Sequence, residues 1–335
     1  MENYSVGITG IGKYMPEDIL TNDDLSKMVE TSNEWIVERT GIEERRIAKE
    51  HISTSDLATE AARAALEDAN LKPEDIDLII VATATADHAF PSTACIIQSN
   101  LGMVNAAAFD LSAACSGFVY GLATGASFIQ SGAYEKILVI GSEVFSKIVN
   151  WEDRNTCILF GDGAGACVLE RCETGYGILS FDLGADGTGG NTLIVPAGGS
   201  RTPTTSETLK QKQHLLQMDG KEVFKFGVRI MEKATRKALE KANLTTEDVD
   251  FLVPHQANIR IIDSATKKLK INPEKLCINL EKYGNMSSAS IPVALEEVVA
   301  ENKIKKGDIV VLVGFGAGLT WGSMAIRWSK GGGKH

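Results

Sequence analysis

The 335-residue sequence contains no run of about 18 consecutive apolar residues, so a membrane-spanning helix is not expected. No basic and then apolar leader precedes the strand-like pattern that starts right after Met1 to Tyr4; no signal peptide is expected, and the expected location is cytoplasmic. Positive charge is in deficit: 34 Lys and Arg face 44 Asp and Glu, and the net charge of -10 argues against a general affinity for nucleic acid or an anionic membrane. The six cysteines, at 95, 115, 157, 167, 172 and 277, include no CxxC pair and no accompanying His cluster. Neither a disulfide framework nor a metal site is therefore expected. Two glycine strings, GDGAG at 161 to 165 and GFGAG at 314 to 318, lack the Lys-Ser/Thr of a phosphate loop and do not fit GxGxxG. They read as tight strand connections.

What the chain does have is a core and a repeat. Its 44% hydrophobic content and its length suffice for two domains or one duplicated domain. Arg63 to Asp77 (RAALEDANLKPEDID) returns as Arg236 to Asp250 (RKALEKANLTTEDVD), displaced by 173 residues. Each copy leads into an apolar strand pattern, LIIVA at 78 to 82 and FLVP at 251 to 254. A period this long marks a duplicated α/β domain and not a solenoid. Helices alternating with short buried strands predict a mainly parallel sheet in each half. The expected division is 1–174 and 175–330, followed by a tag-like tail at 331–335 (GGGKH). Residues 33–54 and 187–220 lack clear periodicity and read as long loops, with the charge run Glu43 to Arg46 as a solvated face.

The stretch DLSAACSGFVY, Asp110 to Tyr120, sets Cys115 between a predicted strand, Ala106 to Leu111, and a predicted helix, Gly117 to Ile129. Unpaired N–H groups and the dipole at a helix start favour a thiolate there. Ala113 to Gly117 also has the small-x-nucleophile-x-small form of a sharp strand-to-helix turn. A buried core cysteine fits the same residues when they are taken alone. The repeat carries Cys115 onto position 288, inside NMSSAS at 285 to 290, which predicts a second helix opening over Ala289 to Glu301 with Pro292 in its first turn. His255 directly follows FLVP, at the carboxyl end of a strand, where open α/β sheets place their ligands. Asn285 lies at the duplicated junction, facing the same pocket. A nucleophile with two polar partners results.

These elements, with TSNEWIVERTGI (31–42), HAFPSTAC (88–95), DLSAACSGF (110–118), FGDGAGA (160–166), MDGKEVFKF (218–226), PHQANIRII (254–262), YGNMSSAS (283–290) and GFGAGLTWGS (314–323), resemble a β-ketoacyl-acyl carrier protein synthase III. The resemblance to this initiating condensing enzyme of the thiolase superfamily runs in family order from about Val6 to Trp328. It implies a thiolase-like α/β fold, with duplicated halves packed as αβαβα layers. It implies a decarboxylative Claisen condensation of an acyl-CoA primer with malonyl-acyl carrier protein, by ping-pong transfer through an acyl-Cys intermediate and without a cofactor. Cys115 would be acylated, and His255 with Asn285 would bind the malonyl thioester carbonyl. The N–H groups of Cys115 and Ala317 would form the oxyanion hole.

For coenzyme A the resemblance implies Trp35 and Arg154 around the adenine, with Thr31, Arg39, Gly220, Phe224, Ala257 and Asn258 along the pantetheine channel. Lys221 stands where relatives often carry Asn. Phe90 would reach across a homodimer interface into the other copy's acyl pocket. An acidic carrier protein would dock on Arg260, Lys267 and Lys268, whose segment Asn258 to Lys270 holds the single acid Asp263, with Lys225 as a further contact. Without the resemblance, that segment reads as a solvated charged face. Competing readings are a related condensing enzyme of a polyketide, quinolone or olefin pathway, a Cys-dependent thioester hydrolase, and a noncatalytic nucleotide-binding scaffold. A thiolase would need a second cysteine near the C-terminal glycine loop, and 310–328 contains none.

Overall fold

The computed structural model describes residues 4–331, so the tail-like segment lies, apart from Gly331, outside the described residues. Nine strands form two principal sheets: β1 (Val6–Tyr14), β2 (Leu78–Ala82), β3 (Ala107–Leu111), β4 (Ile137–Val144), β5 (Asp162–Arg171), β6 (Gly177–Ala185), β7 (Phe251–Pro254), β8 (Ile309–Gly316) and β9 (Thr320–Arg327). The first sheet has the order β1-β5-β4-β2-β3 and the second β6-β9-β8-β7. In both, the first three strands pair antiparallel and the remainder parallel, so neither sheet is mainly parallel as expected: the strand pairs flanking β5 and β9 run antiparallel, without a helical crossover between parallel neighbours. A lone parallel bridge between Leu252 and Leu276 stands where the second sheet's counterpart of β3 would run. β2, β4 and β8 are buried along their whole length, as strands covered on both faces must be.

Helix α1 (Thr54–Ala69) covers the first sheet on the outside, and α4 (Gly220–Lys241) covers the second. Between the sheets lie α3 (Gly117–Gln130) and α6 (Ser290–Ala300), each touching strands of both, which gives five αβαβα layers. Two further helices, α2 (Thr93–Leu101) and α5 (Ile259–Leu269), flank the sheets. The repeat extends to backbone detail. Asn70 and Asn243, paired by it, follow α1 and α4 and both adopt left-handed φ, 54° and 55°, a conformation Asn tolerates at a helix end.

The strand-to-helix turns are duplicated too. Ala114 (φ 45°) precedes Cys115, and Ser287 (φ 47°) precedes Ser288. Each turn sits in a notch made by a glycine of the other half. A Cβ on Gly141 of β4 would lie 2.3 Å from Ser288 O, and one on Gly314 of β8 would lie 2.9 Å from Cys115 O. The glycine strings therefore serve close packing. Gly163, Gly165, Gly314 and Gly316 lie within strands and not in connections as expected; at Gly165 helix α6, and at Gly314 the crossing turn of Cys115, leave no room for a side chain.

Two expected loops carry structure. Asn33–Thr40 is a helix, capped by Ser32, whose Oγ accepts from Trp35 N at 3.2 Å, and closed by Gly41 at φ 78°. Glu44–Ile47 pairs with Asp18–Thr21. Arg45 departs furthest from the solvated face expected of its charge run: it is fully buried, and its guanidinium donates to Leu20 O (3.1 Å), Asn22 Oδ1 (2.9 Å) and Ile158 O (2.7 Å). Three acceptors replace water here, so burial needs no carboxylate. Segment 187–220 holds a 3-10 turn at Gly187–Thr192, a short pairing of Leu193–Ile194 with Gln217–Met218, and a helix at Ser206–Lys210. Among the described residues, no helix is long and apolar enough to cross a membrane, and no cluster of three His, Cys, Asp or Glu could hold a metal.

The notches set a stability test. Gly141→Ala should lower unfolding free energy by about 2 kcal/mol or more, because backbone and not a pliable side chain blocks the new Cβ. Gly187→Ala, where nothing lies within 4 Å of the added carbon, should stay within about 0.5 kcal/mol. Urea denaturation followed by tryptophan fluorescence measures both.

Candidate active site

One cavity of about 810 Å³ is lined by Cys115, His255 and Asn285, and also by Trp35, Arg39, Gly220, Lys221, Phe224, Ala257, Asn258 and Arg260. Cys115 sits in the 3-10 turn Ala114–Ser116 that opens α3, as the strand-to-helix reading predicted. Its thiol is almost fully buried, and burial pushes its pKa up to about 12; the nearby Ser287 hydroxyl works against that rise and the Glu143 charge adds to it. The expectation of a resting thiolate is thus overturned. The helix opening is present, but desolvation of a charged sulfur outweighs a partial dipole charge.

His255 follows β7, and its backbone N–H donates to Val313 O at 2.7 Å, which fixes it at the strand's carboxyl end. Its ring is fully buried and stands edge-on to Phe315, with centroids 5.7 Å apart. Nδ1 has no hydrogen-bond partner, and burial pushes the imidazole down to about 3. The ring is therefore neutral in the working range and acts as a hydrogen-bonding group, not as a cation. As pH falls from about 6.5 toward 3, the unfolded chain takes up a proton that the folded one refuses; this residue contributes stability above that window and loses it within it.

Asn285 is held from both sides: its N–H donates to Leu159 O at 2.8 Å, and its carbonyl accepts from Gly161 N at 3.1 Å. Its side-chain Oδ1 accepts from Ser287 N at 2.8 Å. That bond assigns the amide's orientation and leaves Nδ2 as the donor directed away from the turn. The cavity thus brings together a thiol, a neutral imidazole and an amide.

Around Trp35, the guanidinium carbons of Arg39 and Arg154 lie 4.5 Å and 5.0 Å from the ring centroid. Arg154 also donates to Glu30 O at 2.9 Å. Thr31 Oγ1 is buried without a partner. Arg154, Thr31, Ala317, Phe90, Lys225, Lys267 and Lys268 do not line the cavity. Ala317 lies in the connection between β8 and β9, where Thr320 Oγ1 is 2.9 Å from Ala317 O and 3.0 Å from Ala113 O. That hydroxyl joins the loop to the nucleophile's turn. It and the fully buried Glu143 went unnoticed in the sequence, although the 173-residue offset pairs Glu143 with Gly316 and so singles it out.

Family models described as 3-oxoacyl-[acyl-carrier-protein (ACP)] synthase III, and as the C-terminal part of that enzyme, match residues 109–187 and 239–328. A beta-ketoacyl-[acyl-carrier-protein] synthase III of Caldanaerobacter subterraneus is 61% identical over 98% of this chain and 99% of its own. The chain belongs to the synthase III family. The crystal structure of the 3-oxoacyl-[acyl-carrier-protein] synthase III of Aquifex aeolicus superposes with a TM-score of 0.89 at 48% identity, covering 96% of this chain and 100% of that one. The priming β-ketosynthase of the R1128 polyketide pathway superposes at 0.91 but is 35% identical, over 98% of each chain. The thiolase-like fold expected from the resemblance is thus the fold of this synthase III.

Within this synthase III, the protonated state of the sulfur has a direct readout. Alkylation of Cys115 by iodoacetamide in substrate-free enzyme should keep accelerating as pH rises past about 8.5, the ordinary thiol value. Mass spectrometry of the Cys115 peptide would follow it, and a plateau below about pH 8 would contradict the assignment.

Proposed function

We propose that this enzyme starts fatty acid synthesis by condensing an acyl-CoA primer with malonyl-acyl carrier protein, with Cys115 as acyl carrier and His255 and Asn285 as the pair that holds the malonyl thioester. The observation that carries this reading is the single cavity running from the Trp35 and Arg39 pair to the thiol, imidazole and amide. An acyl-CoA entering there places its thioester at Cys115. The sulfur attacks the acyl carbon, the carbon–sulfur bond to coenzyme A breaks, and the thiol proton leaves with the coenzyme A sulfur. The N–H of Cys115 and that of Ala317 are the proposed donors to the oxyanion of this step.

In the second step the malonyl carbon–carboxylate bond breaks, releasing CO₂. The electron pair forms an enolate whose oxygen takes hydrogen bonds from His255 and Asn285. A neutral imidazole suits this, because its N–H donates a hydrogen bond but is too weak an acid to protonate the enolate. The enolate carbon attacks the acyl-Cys115 carbonyl, giving a 3-oxoacyl-carrier protein and returning the sulfur, which regains a proton from solvent. The atoms balance with thiol, thioester and carboxylate alone, so no cofactor enters.

The coenzyme residues are the cavity's Trp35, Arg39, Gly220, Phe224, Ala257 and Asn258, with Arg154 on the Trp35 ring and the unpartnered Thr31 hydroxyl beside them. A homodimer is supported by the free edge of β3 and by Phe90, which is 86% exposed and would have to enter a second copy's acyl pocket to be covered. The proposed substrates support a cytoplasmic location. The hydrolase alternative needs an acid on the imidazole, and His255 Nδ1 meets none.

Replacing His255 or Asn285 by Ala should slow condensation about 10²-fold to 10³-fold while Cys115 still accepts an acyl group, read by mass spectrometry as one adduct on its peptide. Equal loss of both half-reactions would refute the division of labour.

Carrier protein docking is proposed on α5 and the adjacent end of α4, where Arg260, Lys267 and Lys268 are exposed. Lys225 is drawn toward Glu222 (2.7 Å), and Lys268 lies 3.9 Å from Glu232. Arg260 also lines the coenzyme cavity, so charge reversal there would mix two effects; Lys267 does not line it. Lys267→Glu should raise KM for malonyl-carrier protein several-fold at low salt, less at about 0.5 M salt, and leave turnover with malonyl-CoA unchanged. Steady-state assays with the two donors decide it, an unchanged KM moving the docking site elsewhere.

A further inference from the structure

The repeat that pairs Cys115 with Ser288 also pairs His255 with Ala82 and Gly316 with Glu143. The chain thus carries a second, closed version of its own active site between the sheets. In the open version, a Cβ on Gly316 would lie 2.8 Å from Cys115 N and 3.1 Å from its Sγ, so the absent side chain is what leaves space beside the nucleophile. In the closed version, a carboxylate fills that space. Glu143 Oε1 lies 2.8 Å from Ser288 Oγ and 3.5 Å from Ser288 N, the equivalents of the nucleophile's side chain and its oxyanion donor.

From the other side the same carboxylate accepts Ala84 N (3.0 Å and 3.2 Å), Thr85 Oγ1 (2.7 Å) and Thr83 Oγ1 (3.2 Å). Glu143, Ser287 and Ser288 are all fully buried. The carboxylate is therefore fixed by the segment after β2, and it in turn grips the second turn. One residue before Ser288, the N–H of Ser287 sets the Asn285 amide.

From this geometry we infer that Glu143 is a positioning residue: its carboxyl group fills the closed site and, by anchoring Ser288, holds the turn that orients Asn285 for the malonyl step. This rests on the role proposed above for Asn285. An anchored turn keeps Nδ2 aimed before substrate arrives, and a free one would let the amide rotate, a loss felt in the rate of the step Asn285 serves and not in the binding of substrate.

The test separates the half-reactions in Glu143→Ala, Glu143→Gln, Ser288→Ala and Asn285→Ala. Acylation of Cys115 by acetyl-CoA is followed by rapid-quench mass spectrometry, and condensation by the pre-acylated enzyme with malonyl-CoA. Glu143→Ala should slow condensation about tenfold or more, with KM for malonyl-CoA and the acylation rate within about twofold of the parent. Glu143→Gln, whose amide oxygen still accepts from Ser288 Oγ, should recover most of that loss. Should Glu143→Ala fail to fold, Ser288→Ala carries the test, with an expected slowing of about fivefold under the same selectivity. Condensation within twofold of the parent in Glu143→Ala and Ser288→Ala, while Asn285→Ala loses it, would overturn the inference. So would equal slowing of both half-reactions, or no rescue by Gln. Normal condensation in Asn285→Ala would instead overturn the role given to Asn285, and the inference with it.

Discussion

The interlocking of two left-handed turns, each seated in a glycine notch of the opposite half, is the constraint on which the rest depends. Gly314 admits the turn of Cys115 and Gly141 admits the turn of Ser288, both at distances where any side chain would collide with backbone. Because each half supplies the notch for the other, neither sheet has a complete central layer alone. Helices α3 and α6 begin at these turns and pack on both sheets, so the seating of two short segments sets the register of the whole five-layer stack. The left-handed φ at Ala114 and Ser287 is a local strain that this packing outweighs.

The two copies have diverged by function within one geometry. One has a cysteine, a histidine at a strand end and a glycine that leaves a void; the other has serine, alanine and a glutamate that fills it. The contrast follows from what buried space must do in a folded chain. A cavity beside a nucleophile is retained where substrate will fill it, whereas its twin is occupied by a side chain whose acceptors are met by Thr83, Ala84, Thr85 and Ser288. Gly316 and Glu143 are the same position under opposite demands.

The repeat, the strand ends and the placement of Cys115, His255 and Asn285 were legible in the sequence because they rest on local signals: a period, an apolar run stopping at a polar residue, a small-residue turn. Helix α3 extends one residue beyond the predicted Gly117 to Ile129, and α6 lies within the predicted span with Pro292 in its first turn. Arg45 was not legible, because its three acceptors come from Leu20, Asn22 and Ile158, brought together only by the tertiary fold. The helix at Asn33–Thr40 was missed because so short a segment carries little periodic signal. The protonation of Cys115 was misread for a related reason: the helix start is written locally, but burial is a property of everything packed around it.

That burial has a bearing on the enzyme's durability. Peroxide and other small oxidants attack thiolate and spare thiol, and they reach sulfur through water. A sulfur that is almost fully covered, and whose burial disfavours the thiolate, offers them little. Burial thereby works as a chemical safety catch on the resting sulfur.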